Sequence, residues 1–181
     1  MDTPAHRFLN YIEATFRKKA EIYKGEETSD DYPTPSILVF NDIPKPGYMT
    51  CVTYGLSYAA HEKWLNDRRP ELIMSVNSQD PQWALALVDL VSKIRGQHPF
   101  SYGNTIKLGH PIVDTSNKTG FLFFSPAILG REVYMDIDIG LDYKICLTGA
   151  YPISDKNMDV ISKIGLEKFW KSDDFEFIDV T

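Results

Sequence analysis

Apolar positions recur along this chain at two periods, and the switches between them mark out the elements. Over 3–25 the period is helical: Phe8, Leu9, Ile12, Phe16, Ala20 and Tyr23 share one face. Thr3 is placed to cap this helix, Pro4 suits its first turn, and Gly25 ends it. A polar loop, "EETSDDYPTP", follows. "SILVFND" is a short apolar strand, and "NDIPKPGY" turns the chain with two prolines and a glycine. In "YMTCVTYGLS" the period drops to two, with Val52, Tyr54 and Leu56 on one face and Cys51, Thr53 and Gly55 on the other. "AAHEKWLNDRR" suits a helical turn or a loop, and "PELIMSVN" is another strand.

The strongest helical period lies in "DPQWALALVDLVSKIRGQ". Asp80 caps it, Pro81 opens it and Gly96 stops it; Trp83, Leu87, Leu90, Val91 and Ile94 form a stripe wide enough to pack on a sheet. After a loop-rich stretch with room for one short strand (104–120), "GFLFFSP", "REVYMDIDIG" and "DYKICLTGAYPI" read as three strands. "SDKNMDVISKIGLEKFWKSDD" reads as one or two helices, capped by Ser154 and broken at Gly165, with a last strand expected in "FEFIDV". Strands in the middle with helices bracketing them predict an α+β fold: a mixed, largely antiparallel sheet flanked by helices.

The chain has 181 residues, 43% hydrophobic and 24% charged, which suits one domain over 1–181 with a substantial core. The net charge of −6, with basic residues together only at Arg17–Lys19 and Arg68–Arg69, argues against nucleic acid, whose phosphates need a basic face. It favours a basic protein partner instead. Cys51 and Cys146 lie apart in apolar segments and make neither a metal motif nor a disulfide framework. The N-terminus lacks the basic-then-apolar pattern of a signal peptide, and no apolar run is long enough to span a membrane, so a cytoplasmic protein is expected.

Candidate chemistry is sparse. Gly55-Leu56-Ser57-Tyr58-Ala59 approaches the G-x-S-x-G nucleophile elbow, but an alanine stands at the final glycine. His98 and His110 sit in loops where a partner for Ser57 is conceivable, so a serine hydrolase is the rival reading. A small-ligand module built on an aromatic pocket is a third. Asp136, Asp138 and Asp142 fail the calcium-loop pattern at its third acid and its distant glutamate. With Asp136 and Asp138 two apart on a strand and Gly140-Leu141 at a hairpin, they read as one solvated acidic face. The four histidines show no ligand spacing, no phosphate loop occurs, and neither a metal nor a cofactor is expected. Trp64 and Trp170 are expected to pack in the core, with a protein interface as the alternative.

Taken in order, "TYGLS", "PELIMSV", the helix from Trp83, "LGHPI", "GFLFFSPAI" and "ICLTGAYPISDKNMDVISKIGLEKFWK" resemble the suppressor-of-fused domain family. The resemblance implies a mixed sheet flanked by helices, no catalysis, and protein binding as the activity. Animal members bind a transcription factor. Bacterial members look like immunity proteins that neutralise toxins, and a bacterial single-domain member is the expectation here. The second domain of the animal members has no counterpart in this length, and Ile153, Ser154 and Asp155 stand where the family often carries a glutamate. For a basic toxin domain the expected contacts are Asp136, Asp138 and Asp142, backed by the acidic loop residues Glu26, Glu27, Asp30 and Asp31.

Overall fold

The first helix ends earlier than its apolar period predicts. In the computed structural model, which describes residues 2–28, 31–65, 67–172, 176 and 180, α1 covers Pro4–Phe16. Arg17 then turns left-handed (φ 52°), and Glu13 holds the reversal by accepting from Lys19 Nζ (2.5 Å) and the Ala20 N–H (3.1 Å). The rest of the predicted helix is strand β1 (Glu21–Lys24), antiparallel to β2 (Ser36–Asn41) with Ile22 opposite Leu38. The four residues 20–23 satisfied a helical period by coincidence; once the chain has turned, pairing with β2 hydrogen-bonds their backbone instead.

The chain continues through β3 (Met49–Tyr54), β4 (Arg68–Val76), α2 (Gln82–Ile94), β5 (Thr105–Lys107) and β6 (Gly120–Phe124). It ends through α3 (Arg131–Tyr134), β7 (Lys144–Ile153), α4 (Asp155–Ile164) and α5 (Leu166–Trp170). The strands form one sheet in the order β1-β2-β3-β4-β7-β6-β5. Every neighbouring pair is antiparallel except β4 and β7, which run parallel from Arg68↔Lys144 to Ile73↔Gly149.

Alternation along the strands divides the core in two. Ile37, Cys51, Leu72, Met74, Phe121 and Phe123 face the side covered by α2, where Trp83, Leu87 and Val91 pack on them. Leu38, Val52, Ile73, Ile145 and Leu147 face the other side, under Phe8 and Ile12 of α1. On that same side Leu122, Tyr151 and Ile153 pack with Phe169 of α5. Among the described residues no helix is long and apolar enough to cross a membrane.

Two local expectations need correction. Leu56 does not continue the face of Val52 and Tyr54: the chain swings at Gly55 (φ 124°), and Leu56 lands in the opposite core with Cys51. The strand expected over 131–140 is the short helix α3 and an irregular segment. Asp136 is left-handed there (φ 58°), and a single bridge, Ile137↔Ile145, is the only strand-like contact of that segment. Asp136 and Asp138 are therefore not neighbours on a strand face. The segment 59–67, expected as a helical turn or a loop, forms turns among its described residues. The strand expected over 175–180 falls largely outside the described residues.

Candidate functional site

The turn after β3 owes its shape to one buried carboxylate. Pairing between β3 and β4 stops at Val52↔Ile73, and the Thr53 hydroxyl extends the ladder by accepting the Leu72 N–H at 2.8 Å. Beyond it the chain curls around Glu71, which is fully buried. Glu71 Oε1 accepts the N–H groups of Gly55 (2.8 Å) and Ser57 (3.0 Å) and the Ser57 hydroxyl (2.8 Å). Oε2 accepts the Thr53 hydroxyl (2.7 Å) and the Leu56 N–H (3.3 Å). Burial pushes the Glu71 carboxyl up from its ordinary range, while the donors from Ser57, Thr53 and Gly55 pull it back. Five donors around one carboxyl are what an ionised acceptor requires. Gly55 is needed twice over, for its positive φ and because a Cβ there would stand 2.9 Å from Pro35 Cα.

The carbonyls of the same turn are taken by arginines. Arg69 Nη1 reaches the carbonyl oxygens of Ser57, Tyr58 and Ala59 at 3.2–3.4 Å, and its guanidinium lies over the Tyr143 ring at 4.0 Å. Arg95, 5% exposed at the end of α2, donates to Gly55 O (3.0 Å), Pro33 O (2.8 Å) and Thr28 Oγ1 (2.6 Å). Carboxylate on the N–H side and guanidinium on the C=O side together fix residues 53–59. Ser57 is fully buried and its hydroxyl is committed to Glu71 instead of an imidazole, so it is not placed as an exposed nucleophile. Glu71, Arg69 and Arg95 are the residues that pattern reading passed over. The one available signal was a lone acid in the apolar run "PELIMSV", because a charge buried in a central strand demands donors nearby.

The acidic residues singled out from the sequence form two separate groups. Asp136, Asp138 and Asp142 share the loop between α3 and β7 and are exposed. Asp136 accepts from Arg68 Nε (2.6 Å) and Nη2 (3.3 Å), and that hydrogen bond holds its carboxyl below the usual range. Asp138 accepts the Gly140 N–H at 2.9 Å. Glu26 and Glu27 are exposed beside a cavity of about 500 Å³ near the end of α2, and Asp31 is exposed as well. Asp30 lies outside the described residues. Among the described residues no group of three or more His, Cys, Asp or Glu is gathered as a metal centre would need.

A second cavity, of about 310 Å³, opens on the α2 side of the sheet where the parallel strands β4 and β7 begin. Trp64 and Leu65 form one wall, Phe100 and Tyr102 another, and Tyr134 of α3 a third. The walls are tied together: Trp64 Nε1 donates to Pro99 O at 2.6 Å, and His98 Nδ1 accepts the Phe100 N–H at 3.0 Å. Arg68 and Arg131 lie at this cavity too.

Comparison with known proteins bears on both fold and site. A family model described as "Suppressor of fused protein (SUFU)" matches residues 31–181. No curated protein matches the sequence. Among solved structures, a suppressor-of-fused homologue from Neisseria gonorrhoeae superposes with a TM-score of 0.73 at 17% identity, covering 97% of this chain and 92% of that one. A chain of the Sufu–Fu complex gives 0.67 at 11% identity, over 93% of this chain and 83% of that one. Drosophila Suppressor of Fused gives 0.61 at 12% identity, over 86% of this chain and 43% of that one. These likenesses carry the α+β architecture.

Proposed function

The chain belongs to the suppressor-of-fused family, and from that membership we propose that it is a non-catalytic protein-binding module. In the finer form of this reading it is a cytoplasmic immunity-type protein of a bacterium, a single folded unit over 1–181 that masks a toxin domain. The observation that carries the coarser reading is the shared fold with a chain that was crystallised in the Sufu–Fu complex. The pinned turn at 53–59 supports it: buried charge there is spent on holding backbone, as suits a rigid surface more than a reactive centre.

Masking requires an interface of about 800 Å² on this side. For a basic partner the contacts are Asp138 and Asp142, with Glu26, Glu27, Asp30 and Asp31 behind them; Asp136 contributes less, because Arg68 already holds both its oxygens. Cross-linking in the native cells followed by purification is expected to yield one stoichiometric protein partner, with a dissociation constant that rises severalfold between low and high salt as exposed charges are screened. A chain that purifies alone under all such conditions overturns the reading. A complex indifferent to salt overturns the acidic contacts.

A further inference from the structure

We propose that the cavity between Trp64, Leu65, Tyr102 and Arg131 receives a short acidic segment of a partner protein, a bulky apolar side chain next to a carboxylate. The proposal rests on the protein-binding reading above and adds the location and chemistry of an anchor. Four observations lead to it.

The cavity's walls are exposed where folding alone would hide them. Leu65 is 62% exposed and Tyr102 49% exposed, two of the five large hydrophobic side chains left open among the described residues. Both border this one cavity. Such apolar surface at the rim of a depression is what a partner's side chain covers.

The walls are preorganised. The bonds Trp64–Pro99 and His98–Phe100 fix the two loops, and Tyr102 packs tilted against Phe124 at 5.3 Å between ring centroids. A fixed cleft binds with less ordering cost than one that must form.

The charge has one sign left over. Arg68, Arg131 and Lys144 act on this corner against Asp136 and Asp67. Arg68 is already bonded to Asp136. Arg131 is exposed, acts electrostatically on the Tyr102 hydroxyl, and has no hydrogen-bond or ion-pair partner among the described residues. A guanidinium beside aromatic rings, with no carboxylate bonded to it, selects a carboxylate that it can grip with two N–H groups.

The volume sets the size. About 310 Å³ is at the lower end for ligand cavities and fits one side chain and its neighbour in place of a large cofactor. A polyphosphate or nucleic acid would call for more than one cation free of other bonds, and here Arg68 and Arg69 are already bonded, on a chain of net charge −6.

The test uses two capped dipeptides, N-acetyl-phenylalanyl-glutamate amide and its glutamine counterpart, titrated into the full chain and followed by the NMR signals of the Trp64 indole and the Leu65 methyls. The acid is expected to shift both sets and to bind about fivefold more tightly than the neutral peptide, as one partly solvent-screened ion pair allows. Arg131→Ala should remove that difference and leave the neutral peptide unaffected. Tyr102→Ala should weaken both peptides, with an unchanged far-UV CD spectrum confirming the fold. Equal binding of the two peptides, a preference that survives Arg131→Ala, or no shift at Trp64 and Leu65 overturns the proposal. Failure here with a stoichiometric partner still captured leaves the protein-binding reading standing; peptide binding without any such partner does the reverse.

Discussion

Glu71 shows how one side chain sets the shape of a segment whose sequence looks like something else. "TYGLS" imitates a nucleophile elbow because both motifs need a glycine to turn and a small polar residue to donate. Here the donors converge on a carboxylate. Removing the acceptor should cost more than removing any donor. Glu71→Gln replaces one acceptor oxygen by an amide N–H₂ that faces two or three of the five donors, and is expected to lower unfolding stability by about 3 kcal/mol or more. Ser57→Ala deletes one donor among five and should cost about 1 kcal/mol. Urea denaturation of both variants checks the order, and a reversed order would mean that the turn is not built on Glu71. His98 gives a second prediction. Burial first, then His61 and Lys63, lower its pKa, so the folded chain holds it neutral while the unfolded chain takes up a proton near pH 6.5. The unfolded state then binds more protons in the window below 6.5, and stability should fall as pH drops through it. Protonation also removes the acceptor of the Phe100 N–H. Melting curves between pH 7.5 and 5.5 should show this loss, and His98→Gln should flatten it. Neither residue's surroundings could be read from sequence, because Glu71 meets its donors across strands and His98 meets His61 across two loops.

At the level of elements, legibility followed the caps. The helix from 82 and the one from 155 were readable because their starting signals are local: the Asp80 carboxylate accepts the Gln82 N–H at 2.9 Å, and Ser154 with Asn157 forms a capping box. Two of the misread segments are ones where a non-glycine residue goes left-handed, at Arg17 and Asp136, a choice that periodicity does not encode. Ser154→Ala is therefore expected to cost about 1 kcal/mol. Leu87→Ala, from the fully buried stripe of α2, should cost about 2–5 kcal/mol by loss of contacts and a residual cavity. Differential scanning calorimetry of the two variants tests whether α2 carries the larger share of the core.

The whole molecule is a sheet with helices on both faces, and the class was visible in the order of periods along the chain. The pairing of β4 with β7 was not, because a parallel neighbour is chosen by the crossover between them, and no local pattern names it. Since the core clusters lie on the two faces of one sheet and share its central strands, unfolding is expected to be a single transition, with far-UV CD and tryptophan fluorescence changing together in urea. Separated midpoints would divide the chain into independently melting parts. The parallel seam has a further consequence during synthesis. Residues 68–73 leave the ribosome well before their partners at 144–149, so this part of β4 must wait with one flank open while the intervening chain is made. An unpaired apolar strand is a template for wrong partners. Pro70 and Glu71, at the head of that strand, are the kind of residues that keep a nascent edge from recruiting a stranger, so the acid that pins the finished turn also stands guard over the unfinished one.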